Sequence, residues 1–376
     1  MKKGFAVLIT MILGFSFLQP VSAAEMAAEQ LKKEVVTSGD GLYADPTVPG
    51  RYVFKGANPN NYITIGDDVY RIISVESDGS LKVMSTVSLE RDFDSLWSRS
   101  SSDSNDYCYN TGASGCNVWG SKTTVFDTDG KHVTQMSQEV NGPKYDLPDE
   151  EASLNTYLND EWYESLDDNV KSLIVAHDFN VGPISDTQTS LAESVKEESA
   201  YKWNGKVGLI GVTDYVKAST NSACDSVPEY LSSACMGNPN YLSSDLQYFL
   251  ITPDSFMESY VGSISNRNIF VQSSNNILSN HTSGYGSLVY PTFYIKPNIT
   301  LSGAGLKSDT YVIYEYVDSE NDSTSTPDTN TPSQVVEVPS TSAYVSLIIG
   351  VAGIVLVVLA IGVIYFTSKK KKTKKN

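Results

Sequence analysis

Chemistry, if this chain does any, has to come from a short set of residue types. Four cysteines, Cys108, Cys116, Cys224 and Cys235, fall into two local pairs. Neither spacing is the Cys-x-x-Cys of a redox or zinc motif, and the histidines, His132, His177 and His281, add no metal-ligand pattern. Of the three connectivities open to four cysteines, the local one closes short loops without prior long-range folding, so Cys108 with Cys116 and Cys224 with Cys235 is the expected arrangement. Its role is structural. Asp127-Thr128-Asp129-Gly130 starts like a calcium loop but lacks a spaced third carboxylate and a closing Glu, and reads as a turn. His177-Asp178 is the one acid-base pairing of note, yet no Ser or Cys nucleophile stands in a recognisable setting, and a His near a helix C-terminus is also what the helix dipole favours. No catalytic residue, metal or cofactor is nominated.

Binding chemistry is better represented. Tyr107, Tyr109 and Trp119 put three rings beside the first cysteine pair, where they could stack on sugar faces. The alternative is that they pack over the disulfide and the edge of the core.

These residues need a scaffold, and the periodicity supplies one of α+β type. A short helix is expected over Glu25 to Val36. Turn signals at Asp45-Pro46 and Pro49-Gly50 bracket an extended piece, Arg51 to Phe54. Strand-type runs at Tyr62–Ile65, Val69–Val75 and Leu81–Val87, the last two joined by Asp78-Gly79, predict a three-stranded antiparallel meander. Residues 90–148 are polar and lack a clear period, which marks either a functional or a loosely ordered segment. From Asp149 apolar residues recur every four positions, from Leu154 to Ile174, and Asn159-Asp160 divides the run into two helices. Ser165-Leu166-Asp167-Asp168 predicts the second one's start, as a capping box, with its end near Ala176. Strands are expected at Lys206–Val212, Tyr248–Thr252, Asn268–Gln272, Leu288–Ile295 and Tyr311–Tyr316, with a short helix capped by Thr213.

The ends of the chain set its geography. Lys2 and Lys3 precede an apolar run from Phe5 to Leu18 and the small residues Val21-Ser22-Ala23-Ala24, the pattern of a signal peptide over 1–24. Tyr344 to Phe366 carries no charge and is long enough, at ~1.5 Å per residue, to cross a hydrocarbon core of ~30 Å; a buried core helix is the alternative reading. Lys369–Lys372, Lys374 and Lys375 follow it and stay on the cytoplasmic side. The expected order is therefore a signal peptide (1–24), an N-terminal helical segment (25–40), an extracellular domain (41–317), an acidic Ser/Thr/Pro stalk (318–343), a transmembrane helix (344–366) and a cytoplasmic tail (367–376). The chain has 27 Lys+Arg and 44 Asp+Glu. With two lysines in the leader and six in the tail, the exported part keeps 19 basic groups against 44 acidic ones, a net of about −25 that repels nucleic acid and anionic lipid.

Several stretches resemble a known group. Gly41-Leu42-Tyr43, Gly50-Arg51-Tyr52-Val53-Phe54-Lys55-Gly56-Ala57-Asn58-Pro59-Asn60-Asn61-Tyr62-Ile63, Tyr70-Arg71-Ile72-Ile73-Ser74-Val75-Glu76 and Asp78-Gly79-Ser80-Leu81-Lys82 look like uncharacterised surface proteins of Firmicutes and Mollicutes-related bacteria. Ser153-Leu154-Asn155-Thr156-Tyr157-Leu158-Asn159, Val207-Gly208-Leu209-Ile210 with Asp214-Tyr215, and Tyr290-Pro291-Thr292-Phe293-Tyr294-Ile295-Lys296-Pro297 are similar to the DUF6273 type of domain. Tyr157 and Tyr290 depart from that group's usual Trp and Arg. The resemblance spans about 41–317 and implies a C-type lectin-like mixed fold at a bacterial surface, with carbohydrate or protein binding as its function; it supplies no catalytic residues. Val338-Pro339-Ser340-Thr341-Ser342 ahead of the apolar helix resembles a sortase sorting signal, with Val338 in place of Leu and Ser342 in place of Gly.

Taken together, these features describe a single-pass membrane protein with its large domain outside the cell and its C-terminus inside, moved to the cell wall if it is sorted. It acts as an adhesin-like binder of a glycan or a protein through Tyr107, Tyr109 and Trp119. A surface hydrolase with two opposed carboxylates and a structural surface subunit attached by the sorting signal are the rival readings.

Overall fold

The computed structural model describes residues 25–109, 115–137, 142–185, 189–254, 268–273, 277–282, 286–315 and 336–337. The meander forms with the expected order: Tyr62–Ile65 pairs with Asp68–Val75, and Asp68–Val75 with Leu81–Ser85, both antiparallel. Gly79 turns the second hairpin at φ 88°, with its N–H donated to the Glu76 carbonyl at 3.0 Å. Six consecutive residues, Tyr70 to Val75, are buried, as are all five of Leu81–Ser85. A strand buried on both faces must be covered on both. Ile72 and Val83 therefore face one hydrophobic cluster, while their neighbours Ile73 and Met84 face a second one built from Ile210–Leu250.

The main sheet runs in the order Ile174–Val175, Thr292–Ile295, Leu81–Ser85, Asp68–Val75, Tyr62–Ile65, Tyr311–Glu315, Ile299–Ser302. The Gly41–Ala44/Tyr52–Lys55 hairpin joins through Tyr52 opposite Val75 and Val53 opposite Ser74. Tyr311–Glu315 lies parallel to Tyr62–Ile65, with Tyr311 opposite Ile63, so the two ends of the domain close on each other. A second sheet orders Ile277–Thr282, Asn268–Ser273, Tyr248–Pro253, Gly286–Val289 and Leu89–Asp92. A third joins His177–Asn180, Tyr201–Gly205 and Val125–Asp127, and a two-stranded ribbon joins Gln135–Ser137 to Lys144–Asp146. The architecture is α+β, dominated by strands. The polar 90–148 segment, where it is described, holds short strands and a 3-10 turn.

Several local expectations shift. The N-terminal helix is limited to Ala27–Lys32. The expected pair of helices becomes Ser153–Thr156 running on into a turn of π-helix at Tyr157–Trp162, then Asp168–Leu173. Ser165 does not cap the last of these: its hydroxyl donates back to the Trp162 carbonyl at 2.6 Å, and Asp167 holds the N-cap position. Widening the helix at 157–162 frees Asn159 to act as a strand partner. Its Nδ2 donates to the Val207 carbonyl at 2.9 Å and its Oδ1 accepts the Val207 N–H at 3.0 Å. His177 opens a strand rather than ending a helix. The Val207 strand stops at Gly208, and the following helix, Val212–Lys217, starts beyond Gly211, whose N–H is taken by Asp214 Oδ2 at 3.1 Å; Thr213 is not its cap. Pro291, with no N–H to donate, divides the 288–295 run into two strands serving different sheets. Asp127–Gly130 is a turn, Asp127 Oδ1 accepting the N–H groups of Asp129 and Lys131 at 3.0 Å each.

The signal peptide, the transmembrane helix 344–366, the lysine tail and the sorting motif Val338–Ser342 lie outside the described residues. So does the stalk, except that Val336 and Glu337 pair with Glu315 and Tyr314. Among the described residues no helix is long and apolar enough to cross a membrane.

Candidate functional site

Both disulfides form as the local spacing suggests, Cys108–Cys116 with Cα atoms 5.3 Å apart and Cys224–Cys235 with 5.8 Å. The rings singled out beside the first pair do not meet solvent together. Tyr107 and Trp119 are wholly buried, and only Tyr109 is half-exposed. Trp119 packs edge-on against Phe93 at 5.7 Å and Trp203 at 6.0 Å. The alternative reading, packing over the core, describes these two rings, and neither offers a face to a ligand.

The ring that does stand out is Trp97, 68% exposed on the 3-10 turn Trp97–Arg99. Two positions on, Arg99 is driven in the opposite direction and is 2% exposed. Its guanidinium donates to Asp94 Oδ2 at 2.7 Å and to the carbonyls of Val118 at 2.5 Å, Gly120 at 3.2 Å and Glu150 at 2.9 Å. Asp94 in turn accepts the N–H groups of Cys116 at 2.7 Å and Ser153 at 3.1 Å. Gly115, at φ 84°, lets the cysteine loop pass beneath: a Cβ there would lie 2.1 Å from the Asp94 carbonyl oxygen. One buried arginine thus ties turn, disulfide loop and helix into a rigid base under an exposed indole. Through Ser98 and Arg99 the same turn borders a depression of about 460 Å³ whose lining also includes Ser101, Asp106, Lys122, Thr134, Asp146 and Asp149, and not Trp97 itself. Carboxylates and hydroxyls can hydrogen-bond a polyol's hydroxyls, and the exposed ring one residue away from Ser98 offers an apolar face for its C–H side.

A second polar region lies between the meander and the Val212–Lys217 helix. Arg51 is its hub, donating through Nε to Glu76 at 3.0 Å, through NH1 to Asp45 Oδ2 at 3.0 Å, and through NH2 to Asp214 Oδ1 at 2.8 Å and Ser74 Oγ at 3.0 Å. Lys82 Nζ reaches Asp214 Oδ2 at 2.6 Å, and Lys217 Nζ reaches Asp45 Oδ2 at 2.8 Å. Arg51, Ser74, Glu76, Lys82 and Asp214 all fall within the stretches that carry the family resemblance. Burial alone would raise the Asp214 carboxyl, but Lys82 and Arg51 beside it hold it far below the usual carboxylate range. Asp45 is likewise lowered against its burial, by Lys217 and Arg51. Burial, with repulsion from Arg51, lowers Lys217. Glu198 behaves oppositely: burial, then the nearby Asp214, raise its carboxyl, which is hydrogen-bonded to the Thr213 and Thr252 hydroxyls.

This network forms one wall of a cavity of about 260 Å³. His177 lies on it too, stacked on Tyr294 with ring centroids 3.8 Å apart. Among the described residues no group of His, Cys, Asp and Glu is placed to hold a metal ion. No family model, curated protein or solved structure matches the chain.

Proposed function

We propose that the chain is a membrane-anchored bacterial surface protein whose extracellular, C-type lectin-like domain acts as an adhesin by binding a glycan at the Trp97 face. The observation that carries this reading is the pairing of an indole 68% exposed with a base that cannot shift, since Arg99 below it is buried and hydrogen-bonded four ways. An exposed indole presents a flat apolar face on which the C–H side of a sugar can stack. The neighbouring serines, threonine and carboxylates supply hydrogen-bond partners for sugar hydroxyls. Two disulfides suit an oxidising compartment, and the apolar segment 344–366 with its lysine tail supplies the anchor.

A glycan array probed with the protein and with Trp97→Ala tests the reading. Stacking on one ring is worth about 0.5–1.5 kcal/mol, so retention on the preferred glycans falls about two- to tenfold. The melting temperature stays within the narrow range expected of a surface substitution. Equal retention by wild type and variant, or no glycan retained at all, removes the Trp97 face as the binding site.

A further inference from the structure

The cavity beside the Arg51 network has features that a purely structural bolt does not need. Lys82 and Lys217 are 5% and 2% exposed, and both line the cavity. Each ammonium carries three donors and each makes a single hydrogen bond, to Asp214 and Asp45 respectively. Buried ammonium donors are costly to leave unsatisfied; Lys82 Nζ also lies 5.5 Å from the Phe179 and Tyr294 ring centroids, and both lysines line a space large enough for a small molecule. The same wall carries Glu76 and Asp178, carboxylates with acceptor capacity to spare.

The charges select the class of molecule. The cavity is lined by Arg51, Lys82, Lys202 and Lys217 together with Glu76, Asp178, Glu198 and Asp214. On such a wall a molecule with one charge of each sign finds a partner for each, whereas a lone anion or cation faces like charges as well as opposite ones. We infer that this cavity binds a free amino acid as its zwitterion, the carboxylate taken by the spare donors of Lys82 and Lys217 and the ammonium by Asp178 and Glu76. The apolar part of the wall, Phe179, Leu209 and Ile251, receives a small uncharged side chain. This site shares no residue with the Trp97 face and stands whether or not that face binds a glycan.

Isothermal titration of the full chain in detergent, with glycine, alanine, serine and valine as probes and acetate and methylammonium as single-charge controls, decides the matter. At least one amino acid gives saturable binding below about 10 mM, and neither control does. Val195→Trp, which places a ring at a half-buried wall position, weakens that binding at least about tenfold. Asp178→Asn, also half-buried, does the same by removing the ammonium's partner and serves if the tryptophan variant melts early. Three results overturn the inference: no amino acid binds, acetate binds as well as any of them, or a folded Val195→Trp or Asp178→Asn protein binds like wild type. The first of these means that the spare lysine donors are met by water alone.

Discussion

Two parts of the molecule hold charged groups out of water, and they do it differently. At the Arg51 hub, six ionic side chains from three distant segments, 45–51, 76–82 and 214–217, converge between the central sheet and a short helix, with no covalent link. At the Arg99 base, a single ion pair of two residues five apart, Asp94 and Arg99, is surrounded mainly by backbone groups and flanked by a disulfide. The first fastens the two hydrophobic clusters to each other; the second stiffens one stretch of polar chain. Mutual attraction offsets the desolvation of such charges only while the set is complete, so the number of partners left behind sets the cost of removing one member.

On that basis Arg51→Met has the largest effect. It strands Asp45, Asp214 and Glu76 in or near the core, and unfolding in urea should show a loss of about 3–5 kcal/mol in one cooperative transition. Arg99→Ala comes next, at about 3 kcal/mol, because one buried carboxylate and three carbonyls lose a partner. Its signature is locality: hydrogen exchange should accelerate over 94–120 while the Asp68–Ser85 amides keep their protection. If Arg99→Ala deprotects the central sheet, or Arg51→Met spares it, the division between the two regions fails. Cys108→Ser with Cys116→Ser sits third. Opening a loop this short costs about 2–3 kcal/mol by chain entropy, and exchange should again rise only around the turn that carries Trp97.

The central sheet was readable because its signals were local: short runs rich in β-branched and aromatic residues, separated by Gly66-Asp67-Asp68 and Asp78-Gly79, mark the strands and their turns. The disulfides were readable for the same reason, their partners lying close in sequence. Other features depend on contacts that no window of sequence contains. Trp119 looked available beside a cysteine in a polar stretch, yet Phe93 and Trp203, from other parts of the chain, bury it. Trp97 gave no distinguishing signal, since its exposure follows from the inward pull on Arg99. The π-turn at 157–162 goes with a contact outside any local window, Asn159 to Val207, 48 residues away. The Arg51 hub was legible in part: Arg51, Glu76, Lys82 and Asp214 lie within the stretches that carry the resemblance, Asp45 and Lys217 do not, and nothing local indicated that a basic and an acidic residue 163 apart would meet.

The smallest expected effect concerns how the hub responds to pH, and it separates Glu198 from the carboxylates beside it. Asp45 and Asp214 are lowered in the folded protein, so the stability they contribute is present above their ordinary value of 3.8 and is lost as pH falls through the lower folded values. Glu198 is raised above 4.5, so its contribution is complete below that value and is lost as pH rises through the higher folded one. Wild-type stability should therefore fall as pH rises from 4.5 through Glu198's higher folded value and level off beyond it, by at most about 1.4 kcal/mol per pH unit for one proton. Glu198→Gln keeps the hydrogen-bonding shape and removes the titrating carboxyl, so above pH 4.5 its unfolding free energy should lack the slope that Glu198 gives the wild type, and both proteins should still lose stability below pH 3.8. Parallel curves for the two proteins across that range would mean that Glu198 is ionised beside Asp214 throughout, with the hub carrying one more negative charge than its cations balance.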